Sequence, residues 1–217
     1  MPWVRRLSGL VVILGLVAGV VGVGYAINGM TQAPGFVKAP VTLIDADAPA
    51  GWADVEVDVP GVDVPDGWFA GAQPPGSGSG LVSGADGRLT IVAWDSTRIE
   101  QLLSRGDRLV GGLGLLVGAR ALGPVLGSIA QGRPFAPGNA RRLTVVAATV
   151  AIAGSIAPTL PEIAGFLVLE RTGLAGPDFA SATSPSLQPV LVGGVVLALA
   201  LAFRAGERLS DDVRGLV

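Results

Sequence analysis

Arg120 invites a chemical reading first, because it is the one charge in an apolar run covering residues 109–130. A charge at the centre of a membrane helix costs about 2.5–3.5 kcal/mol on insertion scales, so it is a functional hypothesis by default. The competing explanation has the helix sitting higher, with Arg120 snorkelling to an interface along its own aliphatic stem. No acidic residue inside an apolar run is placed to pair with it; Glu162 is the nearest candidate. Arg133, Arg141 and Arg142 stand in "QGRPFAPGNARRL", between two apolar runs. They suit a topological anchor, with an anionic-lipid or nucleotide site as the rival. Asp45, Asp47, Asp54, Asp58, Asp63 and Asp66 form an acidic cluster that lacks the regular spacing of a calcium loop. Solubilising charge on an outward-facing surface is the simpler reading. "GSGSG" at 76–80 lacks the helix and lysine of a phosphate loop, which leaves Ser77 and Ser79 as linker.

Residue types narrow the chemistry further. The chain has no cysteine and no histidine. That removes disulfides, thiolate nucleophiles, the commonest general base and the usual zinc and haem ligands. Carboxylate or Ser/Lys chemistry is left, and no carboxylate pair or ligand cluster stands out. The expectation is a non-enzyme without metal or cofactor.

The elements that must position these residues are membrane helices. Charged residues are 15% of the chain, well below the roughly 25% of soluble domains, and half of the residues are apolar. Mean hydropathy is +0.59. The run "LSGLVVILGLVAGVVGVGYAI" at 7–27 is long enough for a bilayer core of about 30 Å. It exceeds the core of a signal peptide, so residues 1–27 are read as the N-terminus and an uncleaved first span. Residues 28–96 are acidic and rich in Pro, Gly, Asp and Ser; "VTLI" (41–44), "VEVDV" (55–59) and "LTIVAW" (89–94) read as strands.

Thr97 and Glu100 have capping-box spacing and open a segment, 97–131, made of an amphipathic lead-in running straight into span two. Ile99, Leu102, Leu103 and Leu109 fall on one side of that lead-in, and Gly132 is placed to cap the far end. A loop at 132–142 precedes span three at 143–158. Pro158 and Pro161 are expected to break it, and Thr159 with Glu162 repeats the capping spacing, giving a separate short interfacial helix at 159–171 or, alternatively, a kinked continuation. Residues 172–186 read as loop, 187–209 as span four with Pro189 in its first turn, and 210–217 as a tail. Small residues four apart occur at Gly15/Gly19, Gly114/Gly118 and Gly123/Gly127, which suits close packing inside a bundle more than a dimer seam. The fold class expected is an all-α integral membrane protein of four transmembrane helices, with a small extracytoplasmic β-containing insertion between helices 1 and 2.

Four spans put both termini and the 132–142 loop on one side. Arg5, Arg6, Arg133, Arg141, Arg142, Arg204 and Arg208 all fall there, so the positive-inside rule makes that side cytoplasmic. The acidic module is then outside.

"GRPFAPGNARRL" and the terminal "AFRAGERLSDDVRGLV" resemble the bacterial four-helix membrane family catalogued as domain of unknown function 2975. The matching positions are Gly132, Pro134, Phe135, Asn139, Arg142 and Leu143 in the inner loop, beside Arg141. In the tail they are Phe203, Arg204, Gly206, Leu209 and Asp212. The two motifs cover about a sixth of the chain. The family more often has Thr-Pro-Glu-Asn after the Phe; here it is Ala136-Pro137-Gly138-Asn139, so the helix cap is lost or passes to Asn139. The resemblance implies four spans and a bacterial plasma membrane, and no established activity. Taken together, the expected role is structural, sensory or regulatory, exercised through the lipid bilayer and a protein partner at the outer module or inner loop, with no nucleic acid. A small oligomeric transporter or channel is the alternative, and the near absence of titratable groups at depth counts against it.

Overall fold

The computed structural model describes residues 2–44, 62–63, 86–176, 179–181 and 186–214. In chain order the elements are α1 (Pro2–Thr31), β1 (Val37–Ile44), β2 (Val62–Asp63), β3 (Asp86–Ala93), α2 (Arg98–Ser104), α3 (Gly106–Ala130), α4 (Asn139–Thr172), β4 (Phe179–Ser181) and α5 (Gln188–Arg214). The fold is mostly helical. The helices α1, α3, α4 and α5 are each long and apolar enough to cross a membrane. The chain divides into two compact units: one of residues 1–25, 108–157 and 185–217, the other of residues 26–107 and 158–184.

The first unit holds most of the four long helices, and its packing inverts that of a water-soluble bundle. On α1 the large side chains face outward, with Ile13, Leu14, Val17, Val20 and Val21 all more than half exposed. Gly15, Gly19 and Gly22 make the buried stripe. A Cβ on Gly22 would run into the Arg108 carbonyl and press within 3.3 Å of the Gly112 Cα, and one on Gly112 would strike the Ala18 carbonyl. Backbones gain dispersion energy by approaching where small residues allow it. Of the small-residue pairs in the sequence, Gly15, Gly19, Gly114 and Gly123 meet neighbouring helices, while Gly118 and Gly127 face open space.

Neighbours in sequence run antiparallel. Ser8 near the start of α1 donates to the Gly123 carbonyl near the end of α3 at 2.8 Å. At the other end of that pair, Arg108 lies over the Tyr25 ring, 4.2 Å from its centroid. Gly114 of α3 meets Thr149 and Ala153 of α4, and Gly193 of α5 meets Ala147 and Ala151. The start of α1, the α3–α4 turn and the end of α5 therefore gather at one end of this unit. Val125, Leu143 and Ala200 form a small core there, with Leu122, Ile129 and Phe203 packed against it.

The second unit is a four-stranded antiparallel sheet in the order β2-β3-β1-β4, with α2 and the later part of α4. Val37, Ala39 and Val41 alternate into its core with Ile91, and Ala164, Val168 and Leu169 of α4 are buried too. A Cβ on Gly165 would collide with the Pro40 carbonyl, so helix and strand meet backbone to backbone there. The strand expected at 41–44 lies within β1, and that expected at 89–94 is the end of β3 except for Trp94, which lies beyond it. The one expected at 55–59, the glycine-serine segment and five of the six clustered aspartates lie outside the described residues; Asp63 sits in β2.

Three expectations are corrected. Pro158 and Pro161 do not end a helix: α4 runs unbroken from Asn139 to Thr172, with no separate helix at 159–171. Each proline removes one amide from the ladder, but stopping the helix would orphan four carbonyls and four amides. The boundary between the two units falls at Pro158. Residues 179–181, read as loop, form β4 because the edge of β1 offers partners at Val41, Thr42 and Leu43. The β-containing unit is thus not a single insertion between the first two long helices. Finally, α2 does not run straight into α3: the chain breaks at Arg105, and the buried face of α2 is Glu100 and Gln101, while Ile99 is 63% exposed.

Gly112→Val should lower stability by about 1–3 kcal/mol, the usual cost of overpacking, whereas Gly118→Val should change it little. Thermal unfolding of the two purified variants in one detergent checks this.

Candidate functional site

The end of α3 is shaped by Gly132. Its φ of +75° is open to glycine at no steric cost. That turn lets the Gly132 amide donate to the Ile129 carbonyl at 3.0 Å and the Arg133 amide donate to the Ser128 carbonyl at 2.9 Å. These two bonds make a Schellman motif, so the cap expected from Gly132 is present.

Asn139 is fully buried at the first turn of α4. It does not cap its own helix with its side chain. Its Nδ2 donates to Ser128 Oγ at 2.6 Å and to the Pro134 carbonyl at 2.8 Å. Its Oδ1 accepts from Arg142 at 3.3 Å. Ser128 in turn donates to the Val125 carbonyl at 2.8 Å. One carboxamide therefore ties the last turn of α3, the connecting loop and the first turn of α4 together.

The missing cap arrives from another helix. Glu207 of α5 accepts from the Ala140 amide at 2.9 Å. A carboxylate at this place meets both an unsatisfied amide and the positive end of the helix dipole. Beside it, the Phe135 and Phe203 rings meet edge-on with centroids 5.5 Å apart. Gly206 lies against the Phe135 ring so closely that any Cβ would overlap it.

Of the residues singled out in the sequence, Gly132, Pro134, Phe135, Asn139, Phe203 and Gly206 thus converge on one cluster, with Leu143 in the core beneath. Arg141 and Arg142 are exposed and line a groove of about 320 Å³ with Ala121, Gly138 and Val145. Arg204, Leu209 and Asp212 are exposed and take no part in the cluster. Arg120 is exposed and makes no hydrogen bond or ion pair among the described residues. It lines a second groove of about 610 Å³ together with Ser8, Val12, Gly123, Pro124, Gly127, Ser128 and Gln131.

Sequence reasoning missed Glu207 and Ser128. Their partners are 67 and 11 residues away, so no local spacing marks them. The available hint was negative: position 138 is a glycine, which leaves α4 without an N-cap oxygen of its own.

A second polar network lies in the other unit. The capping box is formed, with the Glu100 amide donating to Thr97 Oγ1 at 3.2 Å and the Thr97 amide donating to Glu100 Oε2 at 3.0 Å. Glu100 Oε1 also takes Arg171 Nε at 2.9 Å, with the Glu100 side chain only 3% exposed. Gln101, fully buried, donates to the Phe36 carbonyl and to Ser96 Oγ, both at 2.7 Å. Arg105 bonds the Gln101 side-chain oxygen and reaches Gln32 at 2.7 Å. These bonds join the tail of α1, the start of β1, the end of β3 and α2.

In both networks the carboxylates are occupied, Glu207 by the Ala140 amide and Glu100 by the Thr97 amide and the Arg171 guanidinium. No group of His, Cys, Asp or Glu suited to a metal ion occurs among the described residues. Comparison with family models, curated proteins and solved structures returns no match for this chain.

Asn139→Ala should cost about 1–3 kcal/mol by leaving Ser128 and the Pro134 carbonyl short of a donor, and Glu207→Gln should cost less, since an amide oxygen still accepts. Glu100→Gln should keep the capping box and lose the ion pair, so it should destabilise less than Glu100→Ala. Melting of the four variants in detergent, monitored by circular dichroism, checks both rankings.

Proposed function

We propose that the protein is a multi-pass protein of the bacterial plasma membrane with both termini cytoplasmic. Its role is structural, sensory or regulatory, carried out by binding a protein partner, and not by catalysis. Membership of the family catalogued as domain of unknown function 2975 is part of this reading. What supports that part is the contact between the two segments that carry the resemblance, Phe135 against Phe203 and Gly206.

The observation that carries the proposal is the partition of charge. The unit holding most of the long helices contains ten arginines against three acidic residues, all three of them near the C-terminus. The other unit contains fourteen acidic residues against five basic ones. The positive-inside rule reads Lys and Arg near span ends, and Arg5, Arg6, Arg133, Arg141, Arg142, Arg204 and Arg208 lie at the end where the α3–α4 turn meets the start of α1 and the end of α5. Asn139, Glu207 and Glu100 are consumed by structure, while Arg133, Arg141 and Arg204 stand exposed. Exposed guanidiniums on a rigid turn suit recognition of an acidic partner.

A reporter placed after Gly78 and another at Val217 should light up on opposite sides of the membrane; the same side for both overturns the orientation. Purification from native membranes in mild detergent should retain a partner protein that is lost in Arg133→Gln/Arg141→Gln. Solute flux in liposomes with no partner retained would favour a transporter instead.

A further inference from the structure

Arg120 lies ten residues before the end of α3, about 15 Å along the helix axis at 1.5 Å per residue. Its groove is walled by α1 and α3, and the same two helices expose Val12, Leu113, Leu115 and Val117. A guanidinium in such surroundings needs a counter-anion. The unit to which it belongs has acidic residues only at Glu207, Asp211 and Asp212, and Glu207 is engaged at the start of α4. Of the other polar groups lining it, Ser8 and Ser128 already donate their hydroxyls to the Gly123 and Val125 carbonyls, and Gln131 brings a further carboxamide. Pro124 cannot supply the amide that the Arg120 carbonyl would take in an unbroken helix, so the polar character there extends to the backbone. One wall is apolar, formed by Val12 and Pro124, and Gly127 adds no side chain, which keeps the groove open.

From this we infer that the α1–α3 groove is a binding site for an anionic phospholipid. Its phosphate pairs with Arg120 and its acyl chain lies along Val12 and Pro124. The pairing explains how a charge at this depth is held without an acid from the protein: guanidinium and phosphate form short charge-assisted hydrogen bonds, and the lipid brings its own apolar tail. The inference rests on the membrane placement proposed above but not on the protein partner.

The test is lipid retention by the full chain, purified in mild detergent, given phosphatidylglycerol or phosphatidylcholine and read by native mass spectrometry. The wild type should keep phosphatidylglycerol and shed phosphatidylcholine. Arg120→Leu should lose phosphatidylglycerol by about tenfold or more, the loss of one charge-assisted hydrogen bond. Arg120→Lys should retain an intermediate amount. Gly127→Leu, which fills the groove where a Cβ meets nothing within 4 Å, should lose it with Arg120 intact, and Gly118→Leu, also in open space but off the groove, should not. Excess inorganic phosphate should not displace the lipid. Equal retention of the two lipids, unchanged retention in Arg120→Leu and Gly127→Leu, or displacement by inorganic phosphate would overturn the site. The reporter fusions are independent of this readout, so a wrong membrane placement shows there, and failure here with correct reporters condemns the lipid site alone.

Discussion

An apolar outer surface leaves only two means of holding helices together, close backbone contact and internal pairing of polar groups. Nearly every feature of the first unit follows from that constraint. Glycines, not leucines, form the buried stripe of α1, where they let backbones meet. The large aliphatic side chains turn outward. The polar side chains that remain inside are few: Asn139, Ser128 and Glu207 are bonded to backbone or to another polar group, while Ser155 Oγ is buried without a partner among the described residues.

Asn139 and Glu207 show how economical the second means is. A single carboxamide bonds to Ser128 of α3, the Pro134 carbonyl of the loop and Arg142 of its own helix. A single carboxylate from α5 completes the start of α4. The Phe135–Phe203 contact over Gly206 closes the same corner with dispersion alone. The α3–α4 turn is thereby fixed by three independent contacts of different chemistry, which makes it a rigid platform for Arg133, Arg141 and Arg142.

The second unit solves a different problem with soluble-protein means: alternating valines in β1, a helix packed on the sheet and a hydrogen-bonded spine through Glu100, Gln101 and Arg105. Gln101 has no apolar equivalent here, since it must satisfy Phe36, Ser96 and Arg105 at once. The opposite charge of the two units fits this difference in means. Arginines gather on the unit with the apolar surface and carboxylates on the unit with the sheet.

Sequence alone determined the four long apolar helices, the strands near 41–44 and 89–94, the Thr97–Glu100 capping box and the Gly132 turn. Each is written in a local signal: an uncharged run, an alternation, a spacing of three, a glycine after a helix. It also marked Phe135, Asn139, Phe203 and Gly206 without saying that they touch. Only the tertiary structure decided that contact, the cap supplied by Glu207, the survival of α4 through Pro158 and Pro161, the strand at 179–181 and the polar buried face of α2. All of these depend on partners far away in the chain or on the relative cost of breaking a helix, and no short window of sequence contains either.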